Sequence, residues 1–157
     1  QAGHSRLLIP VGAIAGLDGL LALRRAGLTE LVYASSKPPA AWRGTPADSA
    51  FELDALTQAT VVFEGSAREA ALKFPKNANL AATVALAGMG LDRTRVVLTA
   101  DPGSTENIQS IQAVSDVSTL RVTVSGRSEG ANPKSSVITG LSVLSALDNQ
   151  AQLLVFS

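Results

Sequence analysis

Cysteine is absent from the 157-residue sequence, and histidine, methionine, tryptophan and tyrosine occur once each. Without cysteine there are no disulfides, no thiolate metal sites and no cysteine nucleophile. The single histidine, His4, sits near the start of the chain, and no spaced group of carboxylates accompanies it. A transition-metal site therefore lacks ligands, and no metal is expected. Charge of either sign is not in excess either: 13 Lys and Arg balance 13 Asp and Glu, and Arg24-Arg25 is the only adjacent basic pair. With no basic stripe for a phosphate backbone to follow, nucleic acid is not an expected partner. Long apolar runs are also missing. The longest, Leu7 to Leu17, is interrupted by Pro10, Gly12 and Gly16 and falls short of the ~20 residues a membrane-spanning helix needs. The expectation is no membrane segment, with the cytoplasm as the default location. The chain opens at Gln1 without a methionine and reads as part of a longer protein.

What is present suits an ordinary globular domain. Hydrophobic residues make up 46% and charged residues 17% of the chain, enough for residues 1–157 to form one domain that buries roughly two-thirds of its unfolded surface. Arg6 to Val11 reads as a short strand, followed by a glycine-rich turn and a helix from Asp18 to Ala26 closed by Gly27. Glu30 to Ser35 is a second strand. Ser36 to Asp48, with Pro38, Pro39, Gly44 and Pro46, reads as a loop long enough to be functional. A helix over Ser49–Gln58, a strand over Thr60–Phe63 and a helix opened by the capping box Ser66-Ala-Arg-Glu69 follow.

Asn77 is a suitable N-cap for a helix reaching about Met89. Arg95 to Ala100 reads as a strand, Asp101 to Ser104 as a turn, and Ile108 to Val124 as a hairpin whose second strand, Thr119 to Ser125, is apolar on one face. Ser135 or Ser136 would cap a last helix with Val137, Leu141 and Leu144 on one side, and residues 153–156 would form a terminal strand or docked tail. The fold class expected is α/β (α+β): a single domain with a mixed β-sheet covered by helices.

The dinucleotide signature G-x-G-x-x-G between a strand and a helix is missing. Gly88-Met-Gly90 follows a helix, and Gly12, Gly16 and Gly19 have the wrong spacing, so both groups read as turns and close-packing sites. Asn77 and Asn79 fall in the first turn of a helix, where free amides suit a cap or a carbonyl-bearing ligand alike. Asn132-Pro133-Lys134-Ser135-Ser136 offers either a capped helix with a solvated lysine or a carboxylate site at a helix N-terminus. Trp42 and Tyr33 read as core or loop packing.

Three stretches carry a resemblance: IPVGAIAGLDGL (9–20), FPKNANLAATVALAGMGLDRTRVVLTADPGSTENIQ (74–109) and NPKSS (132–136). Together they make the chain, from Leu8 to about Leu147, similar to the C-terminal catalytic domain of the L-aspartate dehydrogenase family. The resemblance implies a catalytic and oligomerising domain without the family's Rossmann half, and NAD(P)-dependent oxidation of L-aspartate to iminoaspartate or oxaloacetate plus ammonia, a reaction linked to NAD biosynthesis. It also implies a homo-oligomer. Ala13 and Asn79 match cofactor contacts, most of the NAD or NADP site lying outside this chain. Asn132, Lys134 and Ser135, with Lys37 as a second carboxylate partner, match substrate-binding positions. Ser135 stands where the family has threonine.

Gln109 stands where the family pattern, two residues beyond an asparagine, places its catalytic histidine. Glutamine hydrogen-bonds but does not titrate near neutrality. Losing a general acid-base group costs about 10²–10⁴ in rate. Two alternatives follow. The domain has kept the fold and serves as a ligand-binding or subunit-association module, or it belongs to a dehydrogenase for another substrate whose proton passes to water or to Lys134.

Overall fold

The computed structural model describes Gly3, residues 7–126, the backbone of 128–129 and 132–136, and residues 137–153. Helix α1 (Leu17–Ala26) ends at Gly27, whose φ of 89° belongs to glycine and whose amide bonds the carbonyl of Arg24. Before it, residues 7–11 form no strand, contrary to expectation, and Leu7, Leu8, Ile9 and Val11 are exposed. Pro10 has no amide to offer a ladder there. Strand β1 (Leu28–Lys37) runs two residues beyond its expected end.

The proline-rich loop is more ordered than its composition suggests. A 3-10 turn spans Pro39–Trp42, and α2 (Pro46–Ala50) starts from Thr45, whose hydroxyl accepts from the amide of Ala47. The helix expected over residues 49–58 is replaced by the end of α2, an extended Phe51 and a 3-10 turn at Leu53–Ala55. Pro46 with a threonine cap fixes the helix start early, which a proline at N1 favours.

Strand β2 (Thr60–Ser66) leads straight into α3 (Ala67–Lys73), where the expected capping box forms in both directions between Ser66 and Glu69. Helix α4 (Asn79–Ala87), β3 (Arg95–Ala100), β4 (Asn107–Ser115) and β5 (Thr119–Gly126) follow. A small ribbon of β6 (Ser128–Glu129) and β7 (Asn132–Ser136) precedes α5 (Val137–Asp148).

The main sheet has the order β2-β3-β1-β4-β5. Only β1 and β3 are parallel, and β4 and β5 make the expected hairpin. The sheet is therefore mixed, as expected. Helices α1, α3 and α4 pack on it. Alternation along β1 and β4 turns Leu31, Tyr33, Ile111 and Ala113 into a core shared with Leu20, Trp42, Phe74 and Val84. Full burial of each such side chain stabilises the fold by about 1.5–3 kcal/mol.

The alanines of α4 serve close approach. Ala81 and Ala85 are buried, and a Cβ at Gly88, just past the helix, would come within 2.2 Å of Leu31 Cδ2. Helix α5 behaves differently: its apolar side forms as expected, but Leu141, Leu144 and Leu147 are exposed and only Ser142 is buried. Among the described residues no helix is long and apolar enough to cross a membrane. His4 and most of the expected terminal segment, residues 154–156, lie outside the described residues.

Candidate active site

The face of β1 that begins apolar at Leu31 turns polar toward its end. Alternate positions bring Ser35 and Lys37 onto the covered side, at 1% and 6% exposure. Strand β4 runs antiparallel beside it, with Gln109 opposite Ser35. Its first residues on the same side, Asn107 and Gln109, are 5% and 4% exposed. The result is a buried polar row, Ser35, Lys37, Asn107 and Gln109, at one end of a face that is mostly apolar.

Tyr33 anchors that row. Its phenol donates to Oε1 of Gln109, and burial holds its pKa well above the ordinary phenol value, the nearby Ser35 hydroxyl offsetting part of that. The Ser35 Oγ nevertheless makes no geometrically sound hydrogen bond of its own. Lys37 sits over the Trp42 ring, 5.9 Å from its centroid, and desolvation lowers its pKa from the ordinary lysine value. Trp42 is fixed in turn by donating Nε1–H to the carbonyl of Thr99 at 3.1 Å and by an edge contact with Phe74.

A second group of residues gathers at the start of α4. Gly12 adopts a φ of 70°, and its amide donates to Ser142 Oγ at 3.1 Å. A Cβ there would lie 2.9 Å from Leu80 Cδ2, so the Gly12-Ala13 segment lies against the first turn of α4, which begins at Asn79. Four residues on, Gly16 crosses Val122, whose strand neighbour Val124 stands opposite Gln109. Ala13 is buried and Asn79 is exposed.

Asn77 does not cap α4. Ala78 occupies the cap position, with no side-chain bond, because the Asn77 amide is turned away to donate to the carbonyl of Ala41 at 3.2 Å. That ties α4 to the turn after Lys37 and leaves the buried Asn77 Oδ1 without a partner. The Asn132–Ser136 stretch leads directly into the last helix, with Ser136 at the expected position just before it, but is itself extended. It forms β7, paired with β6, and α5 begins at Val137. Asn132, Lys134 and Ser135 therefore stand on a strand. That strand packs beside the Pro39–Trp42 turn and so reaches the end of the sheet that holds Lys37.

The sequence model of the family described as aspartate dehydrogenase, C-terminal, matches residues 18–150. This chain belongs to that family. It is 50% identical over 151 residues to an L-aspartate dehydrogenase of Cupriavidus necator, covering 96% of this chain and 57% of that protein. A Polaromonas protein of the same name is 48% identical over 155 residues, with 99% and 58% covered. The crystal structure of aspartate dehydrogenase from Thermotoga maritima superposes with a TM-score of 0.75 at 30% identity, covering 97% of this chain and 56% of that one. The chain thus spans a little over half the length of the relatives it matches.

For an aspartate dehydrogenase C-terminal domain, the arrangement fits a flat, amide-bearing ring such as nicotinamide. Gly12 and Ala13 present backbone and a small side chain. Ser35 Oγ and Asn77 Oδ1 are buried polar atoms awaiting partners, an expensive condition unless a ligand meets them. Among the described residues no strand is followed by G-x-G-x-x-G.

Two residues of the polar row, Ser35 and Asn107, and the Tyr33 that anchors it are not among the expected site positions. A signal existed. Tyr33, Ser35 and Lys37 stand at alternate positions, and a strand carried through to Lys37 places all three on one face. Ending the strand at Ser35 hid it.

Proposed function

We propose that this chain supplies the substrate side and part of the nicotinamide side of an NAD(P)-dependent L-aspartate dehydrogenase, whose product iminoaspartate yields oxaloacetate and ammonia in water. One observation carries the reading: a row of four buried polar side chains in a family domain whose relatives bear that name. A protein does not bury Lys37, Ser35, Asn107 and Gln109 on the core face of a sheet for stability, because each loses hydration there.

Ala13 and Asn79 hold the nicotinamide, with Ser35 and Asn77 as acceptors for its carboxamide. When bound, that group accepts hydride from the substrate's Cα. Gln109, held through Oε1 by Tyr33, keeps its amide hydrogens free to orient the substrate. Asn132, Lys134 and Ser135 on β7 meet the dicarboxylate, and Lys37 stands at the substrate end of the row. Half-buried Val32, Ala34, Val97 and Val114 on the opposite face of the sheet suit homo-oligomer formation, and a cytoplasmic setting suits a nicotinamide enzyme without cysteine.

Gln109 favours a second reading, a domain that binds ligand or joins subunits without turnover. The deciding experiment is reduction of NAD and NADP by the intact gene product with L-aspartate, run beside its Gln109→His variant. Turnover by the unmodified protein supports the enzyme. Turnover by the variant alone supports the second reading, and none by either folded protein removes the aspartate assignment.

A further inference from the structure

An amino acid cannot give up hydride from Cα while its nitrogen is an ammonium, since the nitrogen lone pair must form the new C=N bond. Some group must take that proton, and Gln109 cannot. We infer that Lys37 is the proton acceptor of this site. The inference rests on the dehydrogenase reading and adds to it the residue that does the work missing at position 109. In the step, the neutral Nζ of Lys37 forms an N–H bond as one N–H bond of the substrate's α-ammonium breaks. The pair stays on the substrate nitrogen, and the positive charge passes to lysine. A bound oxidised nicotinamide would supply the acceptor for the hydride and its two electrons, which leaves the substrate as an iminium for water.

Position is the first argument. Lys37 ends β1 on the covered face, two residues from Ser35, which stands opposite Gln109, and its register partner on β3 is Ala100. It therefore shares the row with the residue that has replaced the titrating group. Surroundings are the second. Lys37 is 6% exposed, yet the ion pairs among the described residues are Arg43–Asp54, Arg68–Asp92 and Arg95–Glu64, all exposed. Among the described residues its one electrostatic companion is the Trp42 face. A buried ammonium without a carboxylate is costly, and the neutral amine is what such a place favours.

The other titratable groups around it do not serve. The Tyr33 phenol is pushed up by burial and spends its hydrogen on Gln109. Arg43, after the Pro39–Trp42 turn, is paired with Asp54. Asp101, after β3, accepts from the amide of Gly103 at 2.9 Å, and Glu106 precedes β4. Lys134 stands on β7 beside the turn. Among the described residues, the shift of Lys37 comes from desolvation. A lysine that only anchored a carboxylate would need its charge, and arginine would replace it; a lysine that accepts a proton has no such substitute.

The test uses the intact gene product with L-aspartate and compares Lys37→Arg and Lys37→Ala, each checked for folding by near-ultraviolet circular dichroism. The inference expects kcat to fall about 10²–10⁴-fold in both, the acid limb of the kcat/KM profile to flatten, and methylamine and ethylamine to restore turnover to Lys37→Ala. A Lys37→Arg enzyme with kcat near that of the unmodified protein and only KM changed would overturn it. A ¹³C titration of the lysine Cε signals separates the two levels of argument. Lys37 titrating at an ordinary lysine value overturns the inference whatever the turnover. A lowered value in a protein inactive on L-aspartate supports Lys37 as the base and moves the failure to the choice of substrate.

Discussion

The phenol of Tyr33 on β1 donates to the side-chain oxygen of Gln109 on β4, one diagonal step across the antiparallel pairing. Both groups are buried, so each depends on the other. Gln109→Leu should leave the phenol without an acceptor and lower unfolding free energy by about 1–3 kcal/mol. The doubly apolar Tyr33→Phe, Gln109→Leu protein should recover part of that loss. Urea unfolding of the two single variants and the double variant checks it: simple additivity would mean that the two side chains are not coupled.

Lys37 gives a prediction about pH. Its folded pKa is lowered by desolvation, so between that value and the unfolded value of about 10.4 the unfolded chain binds more protons, and stability rises with pH. The penalty is fully present below the folded pKa and gone above the unfolded one. Lys37→Met should therefore unfold at a higher temperature than the native chain at neutral pH, with the gap closing as pH approaches 10. Thermal melts across pH 6–10 test this, and a gap independent of pH would show that the gain came from packing instead.

Two glycines should answer oppositely to alanine. At Gly88 the new methyl would meet Leu31 Cδ2 at 2.2 Å and the Val84 carbonyl at 3.2 Å, and overpacking of this kind costs about 1–3 kcal/mol. Gly140, inside α5, has nothing within 4 Å, so alanine there should stabilise by up to about 1 kcal/mol through helix propensity. Chemical denaturation of both variants is the measurement; a destabilised Gly140→Ala would reveal a neighbour packed on α5.

At α3 the reciprocal bonds of Ser66 and Glu69 predict a loss of about 0.5–2 kcal/mol for Ser66→Ala. The Ser66 backbone amide, then its hydroxyl, hold the Glu69 carboxyl below its usual pKa. That contribution is present above the unfolded value of about 4.3 and is lost as pH falls through the lower folded one. Glu69→Gln should accordingly flatten the acid side of the stability profile, readable from unfolding between pH 2 and 6.

Much of this architecture was legible because its signals are local. Ser66-Ala-Arg-Glu69 announces its own helix start, Gly27 its own helix end, and the alternation from Thr119 to Ser125 its own strand. The errors lie where the deciding partner is distant in sequence. Asn77 has the chemistry of a cap, but Ala41 claims its amide. Asn132–Ser136 leads into a helix as its composition says, and only its pairing with the neighbouring β6 went unread. The family pattern located Gln109, while the buried row around it could be read only once β1 was carried to Lys37 and β4 laid beside it.

The position of β1 has a consequence for how the chain is made. Tyr33 takes Val96 and Ile111 as its neighbours in the sheet, so the central strand is synthesised well before either strand that pairs with it. At ribosomal speeds of about 5–20 residues per second, the wait for its first partner strand lasts roughly 3–13 s. Through that interval an apolar strand has neither edge protected. The β4–β5 hairpin, whose contacts are short-range, closes as soon as it emerges and offers the template onto which β1 can zip. Newborn copies are thus most vulnerable to aggregation before Ser115 has been added, which is the window a ribosome-associated chaperone would have to cover.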